Sequence, residues 1–276
     1  VEACSWSNIP DEDFALADDN HWTIGQFVWT GFDYLGEPSP YDTNAWPNHS
    51  SMFGIIDLAS IPKDRYYLYR SVWNKKAETL HILPHWTWPG REGKVTPVFV
   101  YTNHPTAEMF INGKSYGKQS KNNSSLKNRY RLMWIDAVYE PGEIKVVAYN
   151  KDGKAVSEKI VRTAGKPHHI ELVSNRNELT ADGKDLAYVT VKVVDKDGNL
   201  CPADSRLINF SVKGAGKYRA GANGDPTSLD LFHLPKMHAF NGMLTAIVQT
   251  NETAGEIILT AKAGGVKAGS IRLLTK

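Results

Sequence analysis

The prediction of the fold starts from residues 25–38, GQFVWTGFDYLGEP. The run Phe27–Trp29 is apolar, too short for a helix and rich in residues that suit a β-strand. Two glycines and a proline then interrupt regular structure. The sequence therefore predicts a buried strand over Ile24–Trp29, whose end delivers Trp29 and Asp33 into a loop.

Aromatic and acidic side chains at the carboxyl end of a strand are typical of the active-site rim of an α/β barrel. The flat face of Trp29 beside the carboxylate of Asp33 also suits a sugar, which offers apolar C–H faces and a ring of hydroxyl groups. The alternative is a core tryptophan followed by a surface turn, because single aromatic residues mostly belong to the core.

Further distinctive motifs follow in order along the chain: Trp46-Pro47, residues 50–57 (SSMFGIID), Pro62–Asp64, Tyr66–Tyr69 and Trp73. Together with residues 25–38 they resemble the end of the barrel in glycoside hydrolase family 2, the family of β-galactosidases and β-glucuronidases. The chain is most similar to bacterial β-galactosidase-like members that carry extra C-terminal β-domains. The resemblance implies that Trp29 lines the sugar subsite and that Asp33 lies beside it.

The resemblance also implies that both catalytic groups of a retaining glycosidase lie upstream of this chain. That mechanism needs two carboxyl groups about 5–5.5 Å apart, and in the family both are glutamates on earlier barrel strands. Asp33 and Glu37 share one loop instead of facing strands, and neither matches the catalytic positions. The chain begins at Val1 without an initiating Met. We expect a piece of a longer enzyme that is inactive by itself.

The substrate expected for the intact enzyme is a β-galactoside or a similar neutral oligosaccharide. Glucuronidases of the family carry an Asn-x-Lys pair that holds the sugar carboxylate, whereas this chain has Ser51-Met52-Phe53 in that place. Without a cation a carboxylate would lack a charge-assisted partner, so a neutral sugar is favoured.

The first predicted segment, residues 1–76, forms only the last strand–helix unit of a (β/α)8 barrel, with a short helix or turn at Asp11–Asp19 and a helix after Pro62. One such unit cannot close a barrel, and alone it exposes a large aromatic surface. We therefore expect it to dock onto the following β-domain or onto a second copy of the chain. The expected partners are thus the missing barrel domain and, as a candidate, a homo-oligomer.

The other two segments, residues 77–165 and 166–276, alternate apolar and polar residues with a period of two. Glu143–Tyr149 alternates clearly, and Asn112-Gly113 is a strong hairpin signal. Both segments resemble the immunoglobulin-like domains that follow the family 2 barrel. The predicted fold class is therefore mainly β: two immunoglobulin-like β-sandwiches preceded by the last strand–helix unit of a (β/α)8 barrel.

Trp86 and Trp88 alternate, so they share one face of an extended segment and could form an auxiliary platform for a sugar. The alternative is that they pack against the last barrel helix as a domain joint. The rival function classes are accordingly a non-catalytic carbohydrate-binding module and a structural or oligomerisation module. The glycine-rich segment Gly214–Pro226 is predicted as a loop that could reach a ligand.

Composition excludes several partners. The net charge of +2, with acidic and basic residues interspersed, argues against nucleic acid, and no apolar run is long enough to span a membrane. Cys4 and Cys201 indicate neither a disulfide framework nor a zinc site. The turn at residues 195–199 lacks the distal glutamate of a calcium loop, so a hairpin turn is predicted, with no metal and no cofactor. The resemblance favours a periplasmic or secreted location.

Overall fold

The computed structural model describes residues 7–38 and 46–276, which form two compact units. The first unit contains residues 7–30 and 62–163, and the second contains residues 31–38, 46–61 and 164–276. Both units are mainly β, as predicted. The first predicted segment is divided between the two units, with its helices in the first unit and its central loop in the second.

The first unit has three helices and seven strands. Two antiparallel sheets share one core, with the strand orders β1-β2-β5 and β4-β3-β6-β7. The elements are α1 (Pro10–Asp19), α2 (Asp64–Trp73), β1 (Leu80–Leu83), β2 (Val98–Thr102), β3 (Thr106–Ile111), β4 (Lys114–Ser120), α3 (Leu126–Tyr130), β5 (Leu132–Trp134), β6 (Glu143–Tyr149) and β7 (Ala155–Arg162).

The hairpin between β3 and β4 confirms the turn predicted at Asn112-Gly113. Both residues have positive φ values, 50° and 81°, which a two-residue type I′ turn requires and which these residue types tolerate. In β6, buried and half-buried residues alternate along the whole strand. One face of that sheet is therefore fixed against the shared core.

The two long helices of the first unit are held by aromatic contacts and ion pairs. Phe14 of α1 is buried and meets Tyr69 of α2 edge-on, with ring centroids 5.1 Å apart. Asp11, which is 0% exposed, accepts hydrogen bonds from the guanidinium of Arg131. The helix predicted after Pro62 begins at Asp64 and packs on β1 and β2. This helix of the first predicted segment thus contacts the following β-domain, whereas residues 31–38 and 46–61 of the same segment belong to the second unit.

The second unit has two sheets around a core of aliphatic side chains. Their strand orders are β12-β14-β10-β8 and β13-β11-β15-β16-β9, and all neighbours are antiparallel except β16 and β9. The strands are β8 (His169–Ser174), β9 (Glu178–Leu179), β10 (Leu186–Val194), β11 (Leu207–Gly214), β12 (Gly216–Ala222), β13 (Lys236–His238), β14 (Met243–Thr250), β15 (Gly255–Lys262) and β16 (Gly269–Thr275).

Two elements differ from the sequence predictions. The strand expected at Ile24–Trp29 has no β-pairing among the described residues, and a β-ladder forms only where a neighbouring strand supplies the hydrogen-bond partners. The loop expected over Gly214–Pro226 is mostly a strand, β12, whose backbone pairs with β14. The residues from Pro38 to Ser51, rich in Pro, Asn and Ser, predict a long irregular loop, which lies partly outside the described residues because these omit 39–45.

Candidate functional site

The segment that contains Trp29 exposes a row of large apolar side chains in the first unit. Trp29 is 77% exposed, and Ile24 and Phe27 are fully exposed. Monomeric proteins seldom present so many contiguous apolar groups to water, and such patches usually mark contact surfaces or ligand sites. The alternative prediction, that Trp29 is a core tryptophan, does not hold in this structure.

Asp33 lies in the second unit, where its carboxylate ties two stretches of loop together. It is 8% exposed. Its Oδ1 accepts hydrogen bonds from the backbone N–H of Gly54 at 2.8 Å and from the Ser51 hydroxyl at 3.4 Å. The Asp33 N–H donates to the carbonyl of Ile56 at 2.9 Å. Asp33 therefore holds these two stretches of loop together.

Gly54 makes this close approach feasible. A Cβ atom at this position would lie 2.3 Å from the backbone nitrogen of Asp33 and 2.7 Å from its Oδ1. Contacts this short do not occur between such atoms, so any other residue would push the two stretches of loop apart. We name residues 31–38 together with 46–61 the Asp33 loop. Two isolated β-bridges hold it, Phe32 to Ile56 and Leu35 to Ser50.

The far end of the Asp33 loop is closed by Asp57. Its Oδ1 accepts hydrogen bonds from the N–H groups of Ala59 and Ile61, both at 2.8 Å. The buried hydroxyl of Thr245, on β14, donates to the Ala59 carbonyl at 2.7 Å. This end of the loop is therefore fixed to the sandwich of the second unit.

Two other acidic residues of the first predicted segment, Glu37 and Asp64, also have local contacts. The hydroxyl of Tyr34 donates to Glu37. In the first unit Asp64 lies 2.7 Å from Nε2 of His81. Each of these acids thus has a partner in its own unit. One of the points at which the chain passes from one unit to the other lies between Thr30 and Gly31, so Trp29 and Asp33 belong to different units.

The auxiliary platform predicted from Trp86 and Trp88 is wrong. Trp86 is 0% exposed, donates from Nε1 to the carbonyl of Glu140 and packs against Tyr139. Trp88 is half-buried and stacks on His85 at 4.1 Å. The segment is not a strand, so the two indoles do not share one face. The alternative role at a joint fails for Trp86 too, because it belongs to the sandwich core.

The turn at residues 195–199 is a hydrogen-bonded hairpin turn, as predicted. Asp195 is 3% exposed and accepts hydrogen bonds from the N–H groups of Gly165, Asp197 and Asn199. Burial alone would raise the pKa of Asp195, but the donors, Gly165 foremost, outweigh it and lower that pKa to about 2. Its oxygens are thus occupied by the protein's own donors.

A groove of about 610 Å³ opens on the second unit. Its walls combine exposed apolar side chains, Leu229 and Phe232, with the polar groups of His49 and Arg219. Sequence reasoning missed this groove, because its walls come from the Asp33 loop and from residues 219–233, which are distant in sequence.

The part of the chain that the structure describes contains neither a cluster of metal ligands nor a helix that could span a membrane. There, no three His, Cys, Asp or Glu side chains cluster closely enough to hold a metal ion. Nor does any helix of the described residues have the length and apolar character needed to cross a bilayer. Cys201 is buried, while Cys4 lies outside the described residues.

Two family models match the chain. Residues 170–272 match the glycoside hydrolase family 2 C-terminal domain 5, and residues 93–157 match a domain of unknown function, DUF4982.

Curated relatives and solved structures extend these matches to nearly the whole chain. The β-galactosidase BoGH2A of Bacteroides ovatus is 44% identical over 269 residues, covering 97% of this chain and 30% of that protein. A putative β-glucuronidase of Formosa agariphila is 36% identical, covering 75% of this chain and 20% of that protein. The crystal structure of a β-glycosidase from Bacteroides vulgatus superposes with a TM-score of 0.87 at 33% identity, covering 96% of this chain and 32% of that one. The chain thus spans no more than about a third of each relative's length.

Proposed function

Because the chain belongs to glycoside hydrolase family 2 and matches a C-terminal part of its relatives, we propose that it is part of a retaining glycoside hydrolase. The parent enzyme cleaves terminal β-linked neutral sugars, such as β-galactosides. In this proposal residues 1–76 end the catalytic barrel, and residues 77–165 and 166–276 form two immunoglobulin-like domains. A periplasmic or secreted location fits such a glycosidase.

The observation that carries the proposal is the exposure of the segment around Trp29. Its apolar side chains are those of a strand that is buried on both faces inside a parallel barrel. Their exposure here is expected if the neighbouring strands belong to the part of the parent that this chain does not contain. In that barrel Trp29 stacks on the sugar.

Asp33 acts in this proposal as a positioning carboxylate. Its hydrogen bonds to Ser51 and Gly54 support a role in shaping the rim of the sugar subsite. The nucleophile and the acid/base of a retaining mechanism are two carboxyl groups about 5–5.5 Å apart, and in this proposal both are glutamates of the earlier barrel strands. The chain alone is therefore inactive.

A neutral sugar is favoured because Ser51-Met52-Phe53 supplies no cation at the position where glucuronidases of the family carry a lysine. Ser51 is fully buried and bonds within the loop, and Phe53 packs edge-on against Tyr34. The names of the relatives include both galactosidases and glucuronidases. The ratio of kcat/KM for a nitrophenyl β-galactoside and a nitrophenyl β-glucuronide therefore tests this part of the proposal in the parent enzyme.

The proposal is tested by Trp29→Ala and Trp29→Phe in the full-length parent. Covering about 60 Å² of indole at about 25 cal/mol per Å² is worth about 1.5 kcal/mol, so we expect kcat/KM for a neutral nitrophenyl glycoside to fall about tenfold in Trp29→Ala. Trp29→Phe should lose less, because it keeps an aromatic face. Trp88→Ala is the matched control and should leave kcat/KM unchanged. Equal losses in Trp29→Ala and Trp88→Ala would refute a specific stacking role.

A second candidate is a non-catalytic carbohydrate-binding function, which the groove of the second unit favours. Phe232 offers an aromatic face and Arg219 offers donors, the combination that sugar sites use. Titration of the chain with galactose and β-galacto-oligosaccharides by calorimetry tests it. A saturable heat of sugar binding that is lost in Phe232→Ala would support this candidate. Absence of heat, with dimers in solution, would favour a structural or oligomerisation role.

A further inference from the structure

We propose that the C-terminal sandwich positions the Asp33 loop for substrate binding, with Thr245 and the turn at residues 223–226 as the positioning groups. This inference deepens the proposed function and rests on it for its catalytic consequence. Residues 31–38 and 46–61 form one compact unit with the sandwich. The loop that the proposed function assigns to the barrel rim is thus held by a domain whose chain begins at Ala164.

Thr245 provides the most buried of these attachments. The residue is 5% exposed, and its hydroxyl donates to the Ala59 carbonyl at 2.7 Å. A buried carbonyl without a hydrogen-bond donor is destabilised by its full desolvation free energy. This hydrogen bond therefore favours the conformation in which the Asp33 loop contacts the sandwich. Ala59 is itself 2% exposed, which places the contact inside the unit.

The turn at residues 223–226 provides two more attachments. The Pro226 carbonyl accepts a hydrogen bond from the N–H of His49 at 3.0 Å. Gly224 lies so close to Asp57 that an added Cβ would be 2.1 Å from Oδ2. Because Oδ1 of Asp57 already accepts from Ala59 and Ile61, that carboxylate cannot swing aside without breaking the end of the loop.

The attachments connect to Asp33 through a short series of backbone bonds. Ile56 precedes Asp57; its carbonyl accepts from the Asp33 N–H, and its N–H donates to Gly31, each at 2.9 Å. Ser51 then links to the Tyr34 carbonyl at 2.9 Å. A change at Thr245 is thus passed to Asp33 through Ala59, Asp57 and Ile56.

Three variants on β14 separate positioning from general stability. Thr245→Val removes the hydroxyl while keeping the shape, and Thr245→Ser keeps the hydroxyl. Thr250→Val is the matched control, because Thr250 is 1% exposed on the same strand and its hydroxyl has no hydrogen-bond partner among the described residues. Amide exchange of this chain and kcat/KM of the full-length parent are measured for all three.

We expect Thr245→Val to speed exchange of the amides of Asp33, Ser51 and Ile56 at least tenfold. Exchange of Val191, in the core strand β10, should stay unchanged, as should all four amides in the other two variants. In the parent, kcat/KM for a neutral nitrophenyl glycoside should fall about tenfold in Thr245→Val alone, measured at a temperature at which all three variants are fully folded.

Unchanged exchange at Asp33 in Thr245→Val would overturn the positioning itself. Faster exchange with unchanged kcat/KM would overturn its catalytic consequence. If the unmodified parent hydrolyses no neutral glycoside while exchange responds as expected, the proposed function fails and the attachment of the loop stands. Gly224→Ala is a second route to the same loop and should speed exchange at Asp33 as Thr245→Val does.

Discussion

Asp195→Asn should remove a pH-dependent part of the stability of the second unit. The carboxylate of Asp195 is almost fully buried and accepts hydrogen bonds from Gly165 at 2.7 Å and from the backbone and side chain of Asn199 at 2.9 and 3.0 Å. These donors favour the charged form against the cost of burial. An asparagine keeps the size but turns one accepting oxygen into a donating NH₂ group.

The magnitude follows from the pKa of Asp195, which falls from 3.8 to about 2 on folding. At about 1.36 kcal/mol per pKa unit, the charged carboxylate stabilises the folded unit by about 2 kcal/mol at neutral pH. Because folding lowers this pKa, the stabilisation is fully present above the unfolded pKa. It is lost as the pH falls from about 4 toward 2.

The assay is urea unfolding followed by circular dichroism at a series of pH values from about 6 down to 2.5. The difference in unfolding free energy between the unmodified chain and Asp195→Asn cancels the other titrating groups. We expect that difference in unfolding free energy to shrink by about 1–2 kcal/mol over this pH range. Because about 1.4 kcal/mol corresponds to a tenfold change, the ratio of the two unfolding equilibrium constants should change by about tenfold. A difference that stays constant with pH would refute the account of Asp195 as a charged hydrogen-bond acceptor.

Three other substitutions and one control, Asp19→Ala, test contacts that hold each unit together, with the urea midpoint as the measurement. Gly54→Ala should cost about 1–3 kcal/mol, because the new methyl group meets backbone at 2.3 Å; an unchanged midpoint would contradict the tight approach. Asp11→Ala should cost about 3–5 kcal/mol, because it leaves Arg131 without its fully buried partner, whereas Asp19→Ala at an exposed ion pair should change the midpoint little. Trp86→Ala should cost about 3–5 kcal/mol as a core deletion, and a near-neutral result would restore a surface role for this indole.

The strands that sequence predicted well are those with one buried face. Apolar and polar residues alternate along Glu143–Tyr149, as does burial, so the sequence pattern alone predicts a strand and its buried face. Asn112-Gly113 tolerates positive φ and so determines its turn locally. In both cases the structure depends on residue types within a few positions of each other, so it can be predicted from the sequence alone.

The features that sequence missed depend on distant partners. Gly216–Ala222 contains three glycine or alanine residues in a row, which have low strand propensity, yet it is a strand because β14 supplies its pairing. The attachment of the Asp33 loop depends on Gly224 and Thr245, whose neighbours in space are more than 160 residues away in sequence. The run Ile24–Trp29 shows the converse case. Its sequence suits a β-strand, but no pairing partner for it is present among the described residues.

The central claim is that this chain is part of a sugar-cleaving enzyme whose catalytic carboxyl groups lie elsewhere in the parent. It is tested most directly by hydrolysis of nitrophenyl β-galactoside, measured side by side for this purified chain and for the full-length protein. The account predicts turnover by the full-length protein and only the blank rate for the chain. Turnover by the chain alone, at a rate that scales with its concentration, would contradict it.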